Sequence, residues 1–412
     1  MPVPAIPEDQ IHSLDVVREL LPWRQQLTTA FGTGHGNADL QLIDVLIVML
    51  AGFFNPLVRS QRLIDALSSQ QWMLQQTGVE RIPRSTLSDG LARFDPRQLR
   101  PLIKQLADRV PALGRRDADL MGITRRIVAA DGSYFQTAGD VAWAMLARSR
   151  AGERRDQIRW NLQLVVDSFS PLDCDISGAD DGSEPAAFIR NLHPEVIYVA
   201  DRNFFSYAFI NAVLETGSNL VLRLRKNASF GVIQSLPLSG KDVEANLLSD
   251  DIVRFSGAAD KSNQDYRSFT GNPPTQLLRR VIVWDEKNQK YVVLLTDLLD
   301  VPAHVIAAIY RQRWQVELFF KWIKTYANFD HLISHHPNGV LFQFYVAVIA
   351  TLLLHLATGR RVSKYTLFWL GSVASGQATF EDMRQGLARI EREKELERAR
   401  KKKAAERKKI GK

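Results

Sequence analysis

The chain has 412 residues, of which 45% are hydrophobic, so it is long enough to form two or three domains around a large buried core. Its net charge of +8 favours an anionic partner, nucleic acid first, although residues 391–412 alone carry eleven Lys/Arg and five Glu. The single cysteine, Cys174, excludes an intramolecular disulfide and a multi-cysteine zinc site, and neither the N-terminus nor any apolar run leads us to expect a membrane contact.

Residues 1–118 are predicted to form a helical N-terminal domain. Apolar residues recur with helical spacing at 40–54 and 61–67. Around 82–94, a short helix, a turn and a second helix capped by Ser85 fit a DNA-binding helix-turn-helix. They fit a plain helical bundle equally well, because such helix pairs are common.

Residues 119–225 change to short buried strands, which are first consecutive and then alternate with helices. This order predicts a mixed sheet with helices on its faces. Asp131 and Asp201 each follow a predicted strand, and groups beyond strand ends converge at one edge of such a sheet. An Asp before Gly is also a usual turn residue, and Asp201 also fits a helix cap. The strands are predicted at 127–130, 141–146, 162–167, 172–177, 196–200 and 220–225, and the helices at 184–192 and 204–216.

Residues 226–301 are polar and rich in turns, which predicts an interruption of that fold. Strands are predicted at 253–255, 278–285 and 291–296. The last two are joined by a predicted hairpin loop at 285–290.

The remainder of the chain is organised around one predicted helix at 303–327. Its apolar residues recur at three- and four-residue steps, as a buried helical face requires. Tyr310, Arg313, Glu317 and Lys324 fall near one stripe beside that face. The plainer interpretation is that Arg313 and Glu317 form an ordinary i,i+4 ion pair on a solvated surface.

The spacing of these four residues, Y-x2-R-x3-E-x6-K, resembles the signature of the DDE transposases of bacterial insertion sequences, specifically insertion-sequence family four. The stretches VAADGSY and VADRNFF contain Asp131 and Asp201 and resemble the family's other two acid motifs. One departure is Asn203, which stands where the family often has glycine two residues after the second acid.

The resemblance implies a mixed α/β fold class. Residues 119–225 and 302–360 would form a ribonuclease-H-like catalytic core, interrupted by a β-rich insertion at 226–301. The all-α domain of residues 1–118 would precede it and bind DNA. Residues 361–412 would form a charged helical C-terminal segment.

The resemblance also implies that Asp131, Asp201 and Glu317 are catalytic and bind metal. Three carboxylates at one point repel each other, and two Mg²⁺ or Mn²⁺ ions roughly 3.5–4 Å apart would neutralise them and clamp a phosphate. One ion would activate the attacking water or 3′-hydroxyl, and the other would stabilise the leaving oxygen. The pair Asp180-Asp181 is a rival for the second acid, although its Gly/Ser/Asp surroundings favour a turn.

The same resemblance implies contacts to transposon-end DNA, since cations and a phenol beside the acids suit charge-assisted bonds to phosphate. Trp284 has two interpretations: it stacks on an unpaired base, as a tryptophan does in some relatives, or it is a half-buried strand residue. The predicted DNA-contacting residues are Tyr310, Arg313, Lys324, Lys321, Arg202 and Trp284.

The implied function is cut-and-paste transposition, in which the enzyme cleaves double-stranded DNA at transposon ends and joins the strands to target DNA. We expect it to act in the bacterial cytoplasm at the nucleoid, as a homodimer on paired ends. One alternative is a structure-specific nuclease on the same fold, without strand transfer. Another is a domesticated DNA-binding protein without chemistry, against which the intact set of three acids argues.

Overall fold

A computed structural model describes residues 40–55, 58–110, 117–137, 141–148, 154–225, 228–255, 272–326 and 332–410. These residues belong to two compact units: a first unit that combines the chain up to Leu102 with Trp322 onward, and a second unit, Ile103–Lys321. The predictions for residues 1–39, for the first half (114–116) of the boundary near 114–119 and for the last two residues lie outside the described residues.

The described N-terminal residues from position 40 onward form helices, as predicted. The first helix, α1, is apolar on nearly every side and almost completely buried, so it serves as a core helix. The predicted helices at 40–54 and 61–67 are confirmed with slightly different ends. The helices are α1 (Leu42–Phe54), α2 (Gln61–Ser68), α3 (Gln71–Thr77), α4 (Arg84–Arg93) and α5 (Arg100–Arg109), which crosses into the second unit.

The predicted N-cap at Ser85 is wrong. Helix α4 begins at Arg84 with Pro83 as its N-cap, and no side chain of that local segment caps it. Asp65 of α2 instead accepts hydrogen bonds from the Arg84 backbone N–H at 3.2 Å and from Arg81 Nε at 2.9 Å. A carboxylate from another helix therefore satisfies a free N–H that local sequence reasoning assigned to a serine.

The second unit is built on one mixed sheet of ten strands. β1 pairs antiparallel with β3, which pairs antiparallel with β2 and β4, and β1, β5 and β6 run parallel to each other. Helices α6 (Glu184–Ile189) and α7 (Tyr207–Glu215) make the two parallel crossovers. The strands are β1 (Arg126–Gln136), β2 (Met145–Arg148), β3 (Arg154–Val165), β4 (Ser170–Ser177), β5 (Val196–Ala200) and β6 (Asn219–Arg223).

The parallel strands supply much of the hydrophobic core, because both of their faces are covered. Every residue of β5 is buried, and Val128, Tyr198 and Phe209 belong to one continuous cluster beneath α7. Such near-continuous apolar runs are what a strand covered on both faces requires.

The predicted insertion extends this sheet rather than forming a separate body. Its strand β10 pairs antiparallel with β6, and β9, β8 and β7 follow outward. The hairpin between 285 and 290 is confirmed, whereas β7 and α8 escaped prediction. Both elements are short and mostly exposed, so no buried apolar run marks them in the sequence. The elements are β7 (Phe230–Ser235), α8 (Gly240–Glu244), β8 (Leu247–Phe255), β9 (Leu278–Asp285) and β10 (Lys290–Thr296).

The prediction of one continuous helix at 303–327 is wrong, because the structure divides it into three pieces. Helix α9 (Ala303–Arg311) ends before Arg313, α10 (Trp314–Lys321) follows, and the π-helical turn Trp322–Tyr326 comes next. At the break the N–H groups of Arg313 and Val316 donate to carbonyls three residues earlier. The sequence has no proline or glycine there to signal it.

The C-terminal helices belong to the first unit, where α11 packs against α1 and α4. Helix α11 is long and apolar enough to cross a bilayer, and 89% of its most apolar window is buried inside the protein, as in a core helix. The predicted domain from 302 to 360 thus crosses the division between units, which falls after Lys321. These helices are α11 (Pro337–Thr358), α12 (Lys364–Ala374) and α13 (Phe380–Ile410).

Candidate active site

Asp131 lies inside β1 rather than at its end, so the predicted strand end is wrong. The antiparallel partner β3 continues to pair beyond it, with Asp131 opposite Leu162. The parallel pairing with β5, however, stops at Ala129 and Val199. Asp131 and Asp201 therefore occupy equivalent positions, each two residues past that last pair, at the edge where parallel strands place functional groups.

Asp201 directly follows β5 and caps the 3-10 turn Arg202–Phe204. Its Oδ1 accepts a hydrogen bond from the Asn203 N–H at 2.7 Å. Asp201 is thus a cap, but of this turn and not of the predicted helix from Phe204 onward, which begins at Tyr207 with Ser206 as its N-cap. The cap does not conflict with a role at the site, because it occupies one oxygen of the carboxylate.

Helix α10 brings Glu317 to the same place by packing on β1 and β3. Its Phe319 and Phe320 lie against the buried Trp160 of β3, with ring centroids 6.1 and 5.8 Å away. These aromatic contacts fix the helix on the sheet, so the carboxylate on its more polar side is positioned by the core.

Arg313 joins two of the acids. Its Nη2 lies 2.5 Å from Glu317 Oε1, and its Nη1 lies 3.7 Å from Asp131 Oδ2. The i,i+4 pair of the plainer interpretation therefore exists, but Arg313 is only 19% exposed and also reaches the sheet. Its position at the break between α9 and α10 directs the guanidinium between the acids.

The electrostatics show that negative charge is crowded here. Burial raises the pKa of Asp131 to about 7, and the charges of Glu184 and Asp201 add to that rise, while Arg313 opposes it. Burial also raises the pKa of Tyr310, whose phenol is close enough to respond to Arg313 and Asp201. A carboxyl with so high a pKa is stabilised poorly as an anion by its own protein.

Glu184 is a fourth acid that the sequence analysis did not select. Burial raises its pKa, Arg159 lowers it and Asp201 raises it further, so Glu184 belongs to the same group of charges. In the sequence it lies in the first turn of a helix after Ser183, where an acid usually has a capping role. The rival Asp181 forms a turn, with its Oδ2 accepting from the Gly178 N–H at 2.7 Å.

Trp284 is half-buried on β9, with its ring centroid 4.9 Å from that of Tyr291. It lines a cavity of about 660 Å³ that Tyr310, Arg313 and the exposed Trp314 also line. Trp284 and two stripe residues therefore open onto one cavity. The other cations of this cavity's lining are Arg223, Arg311, Lys287 and Lys290.

The remaining predicted DNA contacts are more scattered. Lys321 is exposed at the end of α10, and Arg202 is exposed in the turn after Asp201. Lys324 lies in the π-helical turn within the first unit, where burial lowers its pKa. The second unit thus brings together Tyr310, Arg313 and Glu317 of the stripe.

The sequence of this region also matches a known family model. The model of the transposase DDE domain covers residues 122–353, more than half of the chain. The chain belongs to this family.

Named relatives of this DDE family member are transposases. It is 27% identical over 202 residues to transposase y4zB of Sinorhizobium fredii, covering 49% of this chain and 53% of the relative. It is 27% identical over 160 residues to the transposase named for insertion sequence element IS5377 of Geobacillus stearothermophilus, covering 38% of each. The chain thus spans about half or less of the length of these relatives. A cryo-EM structure of the piggyBac transposase synaptic complex with hairpin DNA aligns with a TM-score of 0.40 and 11% identity, covering 92% of this chain and 80% of that one.

DDE transposases use divalent metal ions, and the donors present suit such ions. Carboxylate oxygens are hard ligands that favour Mg²⁺ or Mn²⁺ over zinc. A carboxyl pKa of about 7 at Asp131 and a buried Glu184 Oε1 without a hydrogen-bond partner also point to a missing positive group. Among the described residues, no three His, Cys, Asp or Glu side chains are gathered at ligand distance. The fit to a metal therefore rests on the chemistry of the carboxylate donors and not on a ready-made coordination geometry.

Proposed function

We propose that this protein is a DNA transposase that cleaves at transposon ends and transfers the strands to target DNA. The observation that carries the proposal is the meeting of Asp131, Asp201 and Glu317 at one edge of the sheet, inside a DDE transposase domain. Arg313 pairs with Asp131 and Glu317, and the negative charge that remains is what a site for metal-dependent phosphoryl transfer requires before its ions bind.

Asp131, Asp201 and Glu317 would hold the metal, proposed to be two Mg²⁺ or Mn²⁺ ions. When bound, such ions supply Lewis acidity and lower the pKa of a coordinated water or hydroxyl. The chain's own contribution is positional: β1 and β5 fix the two aspartates, and the aromatic packing of α10 fixes the glutamate.

The sheet supports the finer proposal of a ribonuclease-H-like core. The antiparallel β1, β3 and β4 followed by the parallel β5 and β6 have the strand order that the sequence resemblance implies. The β-rich insertion enters between β6 and α9, between the second and third acids.

We assign the DNA contact to the cavity that Trp284, Tyr310 and Arg313 line. Its size and its mixture of aromatic rings with cations suit an unpaired nucleotide, whose base would stack while its phosphate meets a guanidinium. Lys324, Lys321 and Arg202 stay proposed phosphate contacts, and so does the helical N-terminal region.

We further propose that the protein acts in the bacterial cytoplasm at the nucleoid and pairs two transposon ends as a homodimer. The charged helix α13 supplies cations at exposed positions, which suits contact with phosphates without sequence readout. The nuclease alternative differs only in lacking strand transfer.

The test is Mg²⁺-dependent cleavage of duplex DNA that carries the inverted repeats flanking the gene. We expect the wild type to cut at the repeat ends and join them to a target duplex. Asp131→Ala, Asp201→Ala and Glu317→Ala should each bind the duplex without cutting it. Asp300→Ala, which changes an exposed acid of the same unit, is the matched control and should cut normally.

The outcomes separate the alternatives. Cutting without joining would favour a structure-specific nuclease, and end binding without cutting by the wild type would favour a DNA-binding protein without chemistry. Cleavage at the wild-type rate by one of the three variants would remove that acid from the site.

A further inference from the structure

Glu184 is held against the strand that carries Asp131. It lies in the first turn of α6, where Ser183 caps the helix by accepting from the Ala186 N–H at 3.4 Å. A Cβ placed on Gly132 would overlap Glu184 Oε1. The glutamate therefore approaches the backbone immediately after Asp131 so closely that any side chain at position 132 would force its carboxylate to move.

The carboxylate of Glu184 has an acceptor that the protein leaves unused. Its Oε1 is buried and accepts no hydrogen bond of normal geometry. The nearby Gly132 N–H also attracts the Glu184 carboxylate and lowers its pKa, but this N–H donates to Asp131 Oδ1 at 3.0 Å. A buried acceptor without a hydrogen bond is costly and rare, and a bound water or ion is one of its ordinary explanations.

The neighbouring cation, Arg159, does not supply the hydrogen bond that Glu184 Oε1 lacks. Arg159 of β3 is 4% exposed and would lie within 3.1 Å, at Cδ, of a Cβ on Gly132, so it is close to Glu184. Its Nε donates to Asn161 Oδ1 at 2.9 Å, and its Nη2 points to the Gly182 carbonyl at 3.4 Å. Arg159 thus lowers the pKa of Glu184 through its charge, while its Nε and Nη2 donors are directed to Asn161 and Gly182.

We infer that Glu184 is a fourth acid of the metal site, a positioning residue whose Oε1 accepts a hydrogen bond from a metal-bound water. This inference rests on the proposed function, since it requires metal at Asp131 and its partners. Mg²⁺ and Mn²⁺ retain several waters when carboxylates bind them, and such waters need acceptors in the outer shell. Glu184 offers such an acceptor beside the backbone of Gly132, the residue after Asp131.

The test measures Mn²⁺ binding by the full-length protein, with electron paramagnetic resonance of free Mn²⁺ as the readout. Outer-shell partners typically contribute 10–100-fold to metal affinity, so Glu184→Gln should weaken Mn²⁺ binding by roughly tenfold. The metal-free melting temperature should stay level or rise, because the change removes a buried charge that Asp131 and Asp201 repel. Glu215→Gln changes an exposed acid at the end of α7 and is the matched control.

Gly132→Ala provides a second route to the same prediction. Its methyl group would displace the Glu184 carboxylate while keeping every acid, so Mn²⁺ affinity should fall. In a Glu184→Ala background, the same change should have little further effect, and this double-mutant cycle separates the contact from a general disturbance of β1.

Mn²⁺ affinity in Glu184→Gln equal to that of the control would overturn the inference, as would a loss of affinity accompanied by a lower metal-free melting temperature. Asp131→Asn and Glu317→Gln distinguish the two proposals. If they abolish Mn²⁺ binding while Glu184→Gln does not, only the inference about Glu184 fails. If neither of them changes binding, the proposed metal site itself fails.

Discussion

The second unit contains two groups of buried acids that balance their charge in opposite ways. In the insertion, the carboxylate of Asp250 accepts two hydrogen bonds from Arg279, one from Nε at 2.7 Å and one from Nη2 at 2.6 Å. Asp251 pairs with Arg280 at 2.5 Å, and Asp242 lies 2.9 Å from His304 Nδ1. Every acid of this group has its own donor.

The candidate site has the reverse balance. Arg313 is shared between Asp131 and Glu317, Asp201 uses one oxygen as a cap, and Glu184 Oε1 has no partner. The pKa values report the contrast. Burial alone would raise the pKa of Asp242, but hydrogen bonds from Ser239 and His304 lower it to about 2.

The two groups use the same chemistry for different purposes. Each of these acids of the insertion is paired with a donor from the protein itself, and these pairs join β8 to β9 and α8 to α9. The site's acids leave negative charge unbalanced, which costs stability and suits cations that come from outside. A stability measurement therefore distinguishes the two groups without any assay of activity.

The largest effect should come from Arg279→Ala. The change leaves Asp250 buried without its ion pair and also removes donors to the carbonyls of Leu299 and Val301. We expect a loss of about 3–5 kcal/mol in the free energy of unfolding, measured by urea denaturation. Arg280→Ala is the control at a more exposed pair and should cost less; equal costs would contradict the role of burial.

Asp131→Asn should change stability in the opposite direction. Because the folded pKa of Asp131 is about 7 against 3.8 unfolded, the penalty appears as pH rises from 3.8 to 7 and is constant above that. The variant should therefore gain up to about 4 kcal/mol at pH 8 without metal, and nothing near pH 3. Urea denaturation at the two pH values measures this, and a loss of stability at pH 8 would show that Asp131 is well paired.

Asp242→Asn should show the mirror-image pH dependence. A folded pKa of about 2 against 3.8 unfolded means that the carboxylate's contribution is complete above pH 3.8 and disappears as pH falls to 2. We expect a cost of about 2 kcal/mol at pH 7 that vanishes near pH 2. The same denaturation series tests it, and a cost independent of pH would assign the effect to packing.

The smallest effect should come from Arg313→Ala. It removes the cation shared by Asp131 and Glu317, so the metal-free protein should lose about 1 kcal/mol at pH 8 and less at pH 4. If metal takes over the neutralising role, Mg²⁺ should raise the melting temperature of this variant more than that of the wild type. An equal rise in the melting temperature of both proteins would show that Arg313 does not neutralise the acids in place of metal, and would leave it only its proposed role in DNA contact.

The sequence by itself determined the elements and most of the site's membership. The apolar patterns located most strands and helices, because burial repeats with the geometry of each element. Their ends were less exact, since β3 begins eight residues before its predicted start and β1 ends six residues after its predicted end. The four spaced residues from Tyr310 to Lys324 and the two strand-associated aspartates indicated the chemistry, because their spacing is local in the chain.

Tertiary structure decided what depends on residues distant in sequence. The break before α10 directs Arg313 between Asp131 and Glu317, and no proline or glycine announces it. Glu184 joins the acids because α6 packs its first turn over Gly132, 52 positions earlier in the chain. Whether a buried acid has a partner is decided by which side chains the folded sheet brings near it, and a local sequence pattern contains no record of those neighbours.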